Sequence, residues 1–394
     1  MRNVFWLLLL MVLLTAGWIN RDKLGGMGGK RTTLEDEPAT PTPEQILALN
    51  ATPAPAPVIP PKPPAVATPV PATPRPTPPR ADPLELIKKY RDSLVFVTGG
   101  EGAGSGFIAD MAGKTYLITN AHVAAGVRAA TFNTLQGTPV KVGAASVAVG
   151  HDVFAMQVAP NAAPFEILRD VENNVSIGEE VVVLGNAEGG GVINNISGRI
   201  LGLGPNLIEI DAPFLPGNSG SPIIHLRTSK VIGVATYLTI RKYDSATSQT
   251  LGSPSIRRFG YRMDSVKTWQ PVNWNTFYAQ ATEMENIEKL TRDFVVLIKD
   301  IAADGRVSRS RHSNPVITSR IDAWLAEKSR HLSPSDKISA DQNFVSFLKT
   351  TSQADVTSAQ QHMSYDYFQR QLTEQQRERT EIAKVFARIV DAVK

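Results

Sequence analysis

Gly217-Asn218-Ser219-Gly220-Ser221-Pro222 is the stretch from which the rest of the chain is best read. Glycine has no Cβ, so it tolerates positive φ and close approach by a ligand. A serine between two glycines therefore sits where the backbone turns sharply. The stretch lies between two apolar runs, Leu207 to Ile210 and Ile223 to Leu226, which read as strands. A serine so placed can be a nucleophile, with backbone N–H groups beside it aimed at a carbonyl oxygen. It can equally belong to an ordinary turn, because Asn, Ser and Gly are common turn residues. The loop alone leaves both readings open.

Composition narrows the choice. The 394 residues suffice for two or three domains. The formal net charge is +4, with Lys and Arg spread along the chain, so nucleic acid is not the expected partner. The chain has no cysteine. That excludes disulfides, thiolate zinc sites and a cysteine nucleophile, and it suits an exported protein. HExxH is absent, and Gly25 to Lys30 is no phosphate loop because Leu24 stands where its first glycine belongs. No metal and no cofactor are expected.

The first 83 of the 394 residues read as a stretch without a core of its own. Val4 to Ile19 is a nearly unbroken apolar run behind Met1-Arg2-Asn3. Its length lies between a signal-peptide core and a full span. Thr15-Ala16-Gly17 is a weak cleavage site, so residues 1–20 are read as an uncleaved signal anchor, with a cleaved export signal as the alternative. Arg21, Lys23, Lys30 and Arg31 follow the run, which by positive-inside counting favours the opposite orientation. Pro38 to Pro83 holds 17 of the 28 prolines, mixed with Ala and Thr. Such a stretch cannot pack, so residues 21–83 are read as a disordered tether. In polyproline II its proline-rich part reaches on the order of 140 Å.

From Leu84 the pattern changes. Leu84 to Tyr90 reads as a short helix. Twelve β-like runs follow between glycine-rich turns: Leu94–Thr98, Gly106–Ala109, Tyr116–Thr119, Ala129–Thr134, Ser146–Val149, Phe154–Val158, Glu180–Gly185, Gly198–Leu203, Leu207–Ile210, Pro222–His225, Val231–Thr239 and Arg258–Asp264. Many short strands with regular turn signals indicate an all-β sandwich or barrel. From Asn273 the period turns helical, with Met284, Ile287, Phe294, Leu297 and Ile301 on one face and Gly305 ending the helix. Further helices are expected over Pro315 or Val316 to Leu332 and over Ser335 to Thr350. Tyr365, Phe368, Leu372, Ile382, Phe386, Ile389 and Val393 form a heptad seam interrupted by Gln375 and Arg379. It reads as the core of a small bundle, or as a surface for oligomerisation or a partner.

A serine nucleophile needs a base, and the base needs an orienting carboxylate. His312, His331 and His362 lie in the helical part, and His225 leaves the serine loop on the wrong side to reach back. His122, in Thr119-Asn120-Ala121-His122-Val123, directly follows an apolar strand. Asp152, in His151-Asp152-Val153-Phe154, opens another. His151 is expected to be a solvated turn residue.

Four motifs now stand in order: Gly104-Ser105-Gly106-Phe107, Thr119-Asn120-Ala121-His122-Val123, His151-Asp152-Val153 and Gly217-Asn218-Ser219-Gly220. In order and spacing they resemble trypsin-fold serine peptidases, most closely the bacterial HtrA/Deg-like branch. Ile177-Gly178-Glu179-Glu180-Val181 through Leu184-Gly185-Asn186, and Ile232-Gly233-Val234, look like further strands of that branch. The resemblance covers about residues 84 to 270. It implies two barrels, with Ser219 as nucleophile, His122 as general base and acid, and Asp152 orienting the imidazole. The amides of Gly217 and Ser219 would form the oxyanion hole. Pro213, Phe214, Val234, Ala235, Thr236 and Tyr237 would line the specificity pocket. With no carboxylate at its base, a small or medium apolar residue is expected before the cleaved bond. Asp211 is structural in that pattern. Ser221 replaces the glycine of many relatives, and a helical region stands where a PDZ-like segment would follow.

The expected architecture is therefore mainly β: anchor (1–20), linker (21–83), two-barrel trypsin-like peptidase domain (84–272) and α-helical C-terminal module (273–394). The expected function is extracytoplasmic, membrane-anchored serine endopeptidase with a polypeptide substrate. Two rivals stand beside it. One is a barrel that keeps these residues but only binds or senses. The other makes the helices a recruiting element, for a protein partner or a second copy.

Overall fold

A computed structural model describes residues 80–100, 102–160, 163–241, 255–304, 306–308, 319, 337–339 and 342–393. The expected anchor, the proline-rich tether and the helix at 315–332 lie outside the described residues, apart from Arg80 to Pro83 and Ser319. Among the described residues, no helix is long and apolar enough to cross a membrane.

The order of elements begins with α1 (Pro83–Tyr90), β1 (Leu94–Gly99), β2 (Gly102–Met111), β3 (Lys114–Thr119), α2 (Ala121–Gly126), β4 (Thr131–Thr134), β5 (Val142–Ala148), β6 (Phe154–Val158) and β7 (Phe165–Glu166). It continues with α3 (Val171–Asn174), β8 (Glu180–Gly185), β9 (Asn194–Leu203), β10 (Leu207–Ile210), β11 (Pro222–His225), β12 (Lys230–Arg241), β13 (Ser255–Arg262) and β14 (Trp269–Pro271). Three helices follow: α4 (Trp274–Asp304), α5 (Gln342–His362) and α6 (Asp366–Val393). Between α4 and α5, Arg306–Ser308 pairs with Lys337–Ser339.

The second half of the β region, in the order β10-β13-β12-β11-β8-β9, closes into a barrel. The first half differs from the expected second barrel. It is an eight-stranded sheet in the order β14-β5-β6-β3-β2-β1-β4, with β7 beside β2. Closure would need β4 to pair with β5. The segment between them makes only an isolated Asn133–Pro139 bridge, and proline has no N–H to extend a ladder. On the other side the edge of β5 is taken by β14, which the sequence pattern did not single out.

Three large apolar cores, and a small one of Val97, Val123 and Val127, hold the described residues together. Val181, Val183, Ile200, Ile208, Ile223 and Ile232 fill the barrel. Leu94, Phe107, Ile118, Val182, Leu184 and Ile224 join sheet to barrel, and α1 seals this core with Leu86 and Tyr90. The Tyr90 ring stacks on Phe165 at 3.9 Å. The third core joins the sheet to the helices: Leu117, Phe154 and Met156 meet Phe277, Ala281, Met284 and Ile287 of α4, and Phe368 and Leu372 of α6. The α4 residues recur at three- and four-residue intervals, the stripe that a helix lays on a core.

The helices therefore pack on the sheet as well as on one another. α4 starts where the Asn273 side chain caps the Thr276 amide at 3.1 Å. The third expected helix begins later than Ser335 and runs on to His362, because Lys337–Ser339 is spent as a strand. In the seam, Tyr365, Phe368, Leu372 and Ile382 are buried. Its polar interruptions are used internally. Arg379 Nε donates to Thr291 Oγ1 at 2.8 Å and Nη2 donates to the Ile287 carbonyl at 2.8 Å. Gln375 Oε1 accepts from Thr291 Oγ1 at 3.0 Å. A buried polar layer of this kind fixes register at some cost in stability. The side chains of Phe294, Leu297, Ile301, Phe386, Ile389 and Val393 lie outside the described set.

Candidate active site

β3 ends at Thr119, and the chain turns at once into the short helix α2, which carries His122 on its first turn. Asp152 sits in the turn between β5 and β6. The two meet tightly. His122 Nδ1 lies 2.7 Å from Asp152 Oδ2, and the His122 amide donates to Asp152 Oδ1 at 2.9 Å. Both carboxylate oxygens are thus engaged by one residue. The Asp152 side chain is 9% exposed and the imidazole 39%. Burial would raise the Asp152 pKa, but the His122 imidazole and its hydrogen bonds outweigh that and hold it below the ordinary value. An ionised carboxylate only accepts, so Nδ1 carries the proton and Nε2 is left free to act as a base.

Asn120, the residue between strand and helix, belongs to this site although no role was assigned to it from sequence. Its Nδ2 donates to the Asp152 carbonyl at 2.7 Å and to Thr236 Oγ1 at 3.0 Å. It thereby ties the end of β3 to the Asp152 turn and to β12. Its position inside the quoted motif was the available signal.

The serine loop is fixed from the first half of the chain. The Ser105 amide donates to the Ser219 carbonyl at 2.8 Å, and Ser105 Oγ donates to the Gly217 carbonyl at 2.8 Å while accepting from the Asn186 amide at 2.9 Å. Gly217 has φ +94° and Gly220 φ +90°. A Cβ on Gly217 would strike the Asn186 carbonyl, and one on Gly220 would strike the Ser105 carbonyl and Thr119 Oγ1. The amides of Asn218, Gly220 and Ser221 are spent on Leu215, Ala235 and Asn218 carbonyls. Among the described residues, those of Gly217 and Ser219 donate to no protein group. Ser219 Oγ donates to the Thr236 carbonyl at 3.2 Å, and no hydrogen bond joins it to His122.

His122, Asp152 and Ser219 line one cleft of about 240 Å³, with Phe214, Thr236 and Tyr237 beside them. The other three expected pocket residues do not line it. Val234 is buried in the core between sheet and barrel, Ala235 in the barrel core, and Pro213 is exposed to solvent. β12 is bulged between Ala235 and Tyr237, which breaks the alternation there and brings Thr236 to the cleft while Val234 and Ala235 stay in the cores. Leu215, Pro216, Leu238 and Tyr261 take the remaining places on the barrel side. The Tyr261 phenol is pushed up to about 12 by burial and by the Asp152 charge, so it stays neutral beside the carboxylate. Asp211 lies outside the cleft and accepts from the Arg199 amide at 2.6 Å.

The opposite wall was not legible from sequence. Glu288, Thr291 and Arg292 of α4, with Tyr367, Gln371, Glu374, Gln375 and Glu378 of α6, face the same cleft. His151 also departs from expectation. It is 3% exposed, with Nδ1 2.8 Å from the Val149 carbonyl and Nε2 2.7 Å from Ser265 Oγ. Burial lowers its pKa. Its partners, Ser265 above all, are remote in sequence, so nothing local marked it as buried. His225 is buried on the far side, with Nδ1 3.1 Å from Thr228 Oγ1.

With this geometry in place, residues 104–234 match the family model of the trypsin-like peptidase domain. These residues form a trypsin-like peptidase domain. No curated protein sequence matches the chain. Similar solved structures include a serine endoprotease from Yersinia pestis, at 23% identity over 40% of this chain and 57% of that one, with a TM-score of 0.33. They also include the inactive form of the Rv3671c protease, at 22% identity over 46% and 88%, with a TM-score of 0.34. Another inactive form of Rv3671c, from M. tuberculosis H37Rv, gives 20% identity over 48% and 93%, with a TM-score of 0.36. This chain spans 57% of the length of the Yersinia endoprotease. The match to the peptidase-domain model takes in all four motifs, while α4 to α6 lie outside it.

Proposed function

We propose that the protein is a serine endopeptidase that cleaves polypeptides through an acyl-enzyme, with its peptidase domain outside the cytoplasm on an N-terminal membrane anchor. The observation that carries the chemistry is the 2.7 Å contact of His122 Nδ1 with the ionised Asp152, in one cleft with Ser219. In the reaction, Ser219 Oγ leaves the Thr236 carbonyl and gives its proton to His122 Nε2 as Oγ bonds to the scissile carbonyl carbon. The oxyanion so formed accepts from the amides of Gly217 and Ser219. His122 then protonates the leaving amine, and water repeats the sequence on the acyl-enzyme. Asp152 stabilises the imidazolium without taking its proton.

Phe214, Leu215, Tyr237 and Leu238 support an apolar residue before the cleaved bond, since no carboxylate stands among the barrel-side residues that flank Ser219. The location rests on the apolar run Val4 to Ile19, the proline-rich stretch and the absence of cysteine. One observation favours a second reading, a barrel retained for binding or sensing: Ser219 Oγ is engaged by Thr236 and not by His122. Incubation with a random peptide library, read by mass spectrometry, separates the two. The peptidase reading expects internal cleavage after small or medium apolar residues, lost in Ser219→Ala. Intact peptides, or cleavage unchanged in Ser219→Ala, would sink it.

A further inference from the structure

The turn that carries Asp152 is held by a helix more than two hundred residues further along the chain. Asp366, the first residue of α6, accepts from the Gly150 amide through Oδ2 at 2.7 Å. Arg370, one turn along, donates from Nη2 to the His151 carbonyl at 2.8 Å. The two side chains also bind each other, Arg370 Nε to Asp366 Oδ2 at 2.9 Å. Asp366 and Arg370 are spaced i,i+4 on one helix face, so a single ion pair presents an acceptor and a donor to consecutive residues of the turn. Gly150 has φ +78°, a conformation open to glycine and held here by the carboxylate.

From the other side, Asn120 takes the Asp152 carbonyl at 2.7 Å, and His151 is pinned between the Val149 carbonyl and Ser265. The helix has its own anchors. Phe368 packs on Phe277 at 4.9 Å between ring centres, Phe277 packs on Phe154 at 5.2 Å, and the Asn273 amide donates to Tyr365 Oη at 2.8 Å. Phe154 lies only two residues beyond Asp152. The aromatic cluster and the Asp366–Arg370 pair therefore fix α6 and the Asp152 turn as one body.

We propose that Arg370 and Asp366 are positioning residues for the Asp152–His122 pair, which makes the C-terminal helix part of the catalytic apparatus and not an appended module. The inference rests on the peptidase reading above. A carboxylate displaced by about 1 Å no longer orients the imidazole, and misplacement of that size costs on the order of 100-fold in rate. Arginine suits the task because its planar fork makes both bonds at once, which a lysine cannot do. The charge also acts on the carboxylate: the guanidinium favours ionised Asp152. With Arg292 of α4 and Glu374 and Glu378 of α6 further along the same cleft, the other groups facing the pair are the Tyr261 phenol of β13, the Tyr367 phenol of α6 and Glu288 of α4. All three remain when Arg370 is replaced.

The test uses the full-length chain, as wild type, Arg370→Met, Arg370→Lys and Asp366→Asn. Two quantities are measured against pH: the labelling rate by a fluorophosphonate, and the His122 imidazole titration by NMR, assigned through its loss in His122→Ala. The expected result for Arg370→Met is labelling slowed by about 10- to 100-fold. Its KM for a short peptide stays unchanged, so the loss falls on kcat, and the acid limb of the labelling profile shifts from its wild-type position. Arg370→Lys keeps the charge and one bond, so its acid limb returns to the wild-type position while its rate lies between the two. Asp366→Asn keeps an acceptor for Gly150 but loses the ion pair, and covers the case in which Arg370→Met fails to fold. Wild-type labelling with a rate and acid limb unchanged in all folded variants would overturn the inference while leaving the peptidase reading intact. A folded wild type that takes no label, with a His122 titration that still moves in Arg370→Met, would overturn the peptidase reading and keep the positioning contact.

Discussion

Asp152 does two things at once: it orients an imidazole and it carries a buried charge. Its depressed pKa means that the folded chain holds the carboxylate ionised more strongly than the unfolded chain does. That contribution to stability is complete above the unfolded value near 3.8 and is lost as pH falls towards the lower folded value. Asp152→Asn keeps the shape and removes the charge. It should lower the labelling rate at Ser219 by about 10⁴-fold, with the amide favouring the wrong imidazole tautomer. In acid melts the variant should lose stability less steeply than wild type below about pH 4. A rate within tenfold of wild type would show that the carboxylate is not the orienting group.

His151 works in the opposite range. Burial lowers its pKa, so the neutral form belongs to the fold. Its contribution is present above the unfolded pKa of about 6.5 and is lost as pH falls through the folded value. Thermal melts should show a loss between pH 7 and pH 5 that is smaller in His151→Gln. Equal losses would place the transition elsewhere, with the buried His225 as the next group to examine, since burial lowers its pKa too. His122, Asp152 and Ser219, which the fold brings to one cleft, could be singled out because each sits in a short motif with its own turn chemistry. His151 was misread because Ser265 and Arg370 enclose it from far along the chain.

Among elements, the strands could be read from periodicity because one or both faces are buried. Phe154–Val158, Glu180–Gly185, Leu207–Ile210 and Pro222–His225 have the bounds that the sequence suggested. Two-residue β7 and three-residue β14 are too short for any period to register. The Ser335–Thr350 helix was misplaced because a helical pattern there competes with pairing of Lys337–Ser339 to Arg306–Ser308. The serine loop is the element most dependent on glycine. Gly220 combines a φ of +90° with a Cβ direction blocked by backbone and by Thr119. Gly220→Ala should therefore destabilise the domain by about 2–4 kcal/mol and abolish labelling. Chemical denaturation measures the first effect. A loss under about 0.5 kcal/mol, the range of ordinary surface changes, would mean that the loop relaxes freely.

On the scale of the molecule, the helical region is not independent of the peptidase domain. Its α4 stripe and the start of α6 cover Leu117, Phe154 and Met156, and its outer residues wall the cleft that holds Ser219. A chain truncated after Val272 would expose that apolar face. It should melt far below the full chain, aggregate, and take no label. A truncated chain that folds and labels at the wild-type rate would show that the helices are dispensable. The apolar stripes of α4 and α6 could be read from the sequence, but not what they cover. A heptad seam looks the same whether it packs within a bundle, on a sheet or on a partner, and only the contacts of Arg379, Gln375 and Phe277 distinguish these.

In the proposed reaction Ser219 is a nucleophile activated by His122 and Asp152. Fluorophosphonate labelling of the purified full-length chain, with the modified residue identified by mass spectrometry, tests it most directly. The expected result is a single adduct on Ser219 that is absent in Ser219→Ala and in His122→Ala. A folded chain that takes no label, or an adduct that persists in Ser219→Ala, would contradict it.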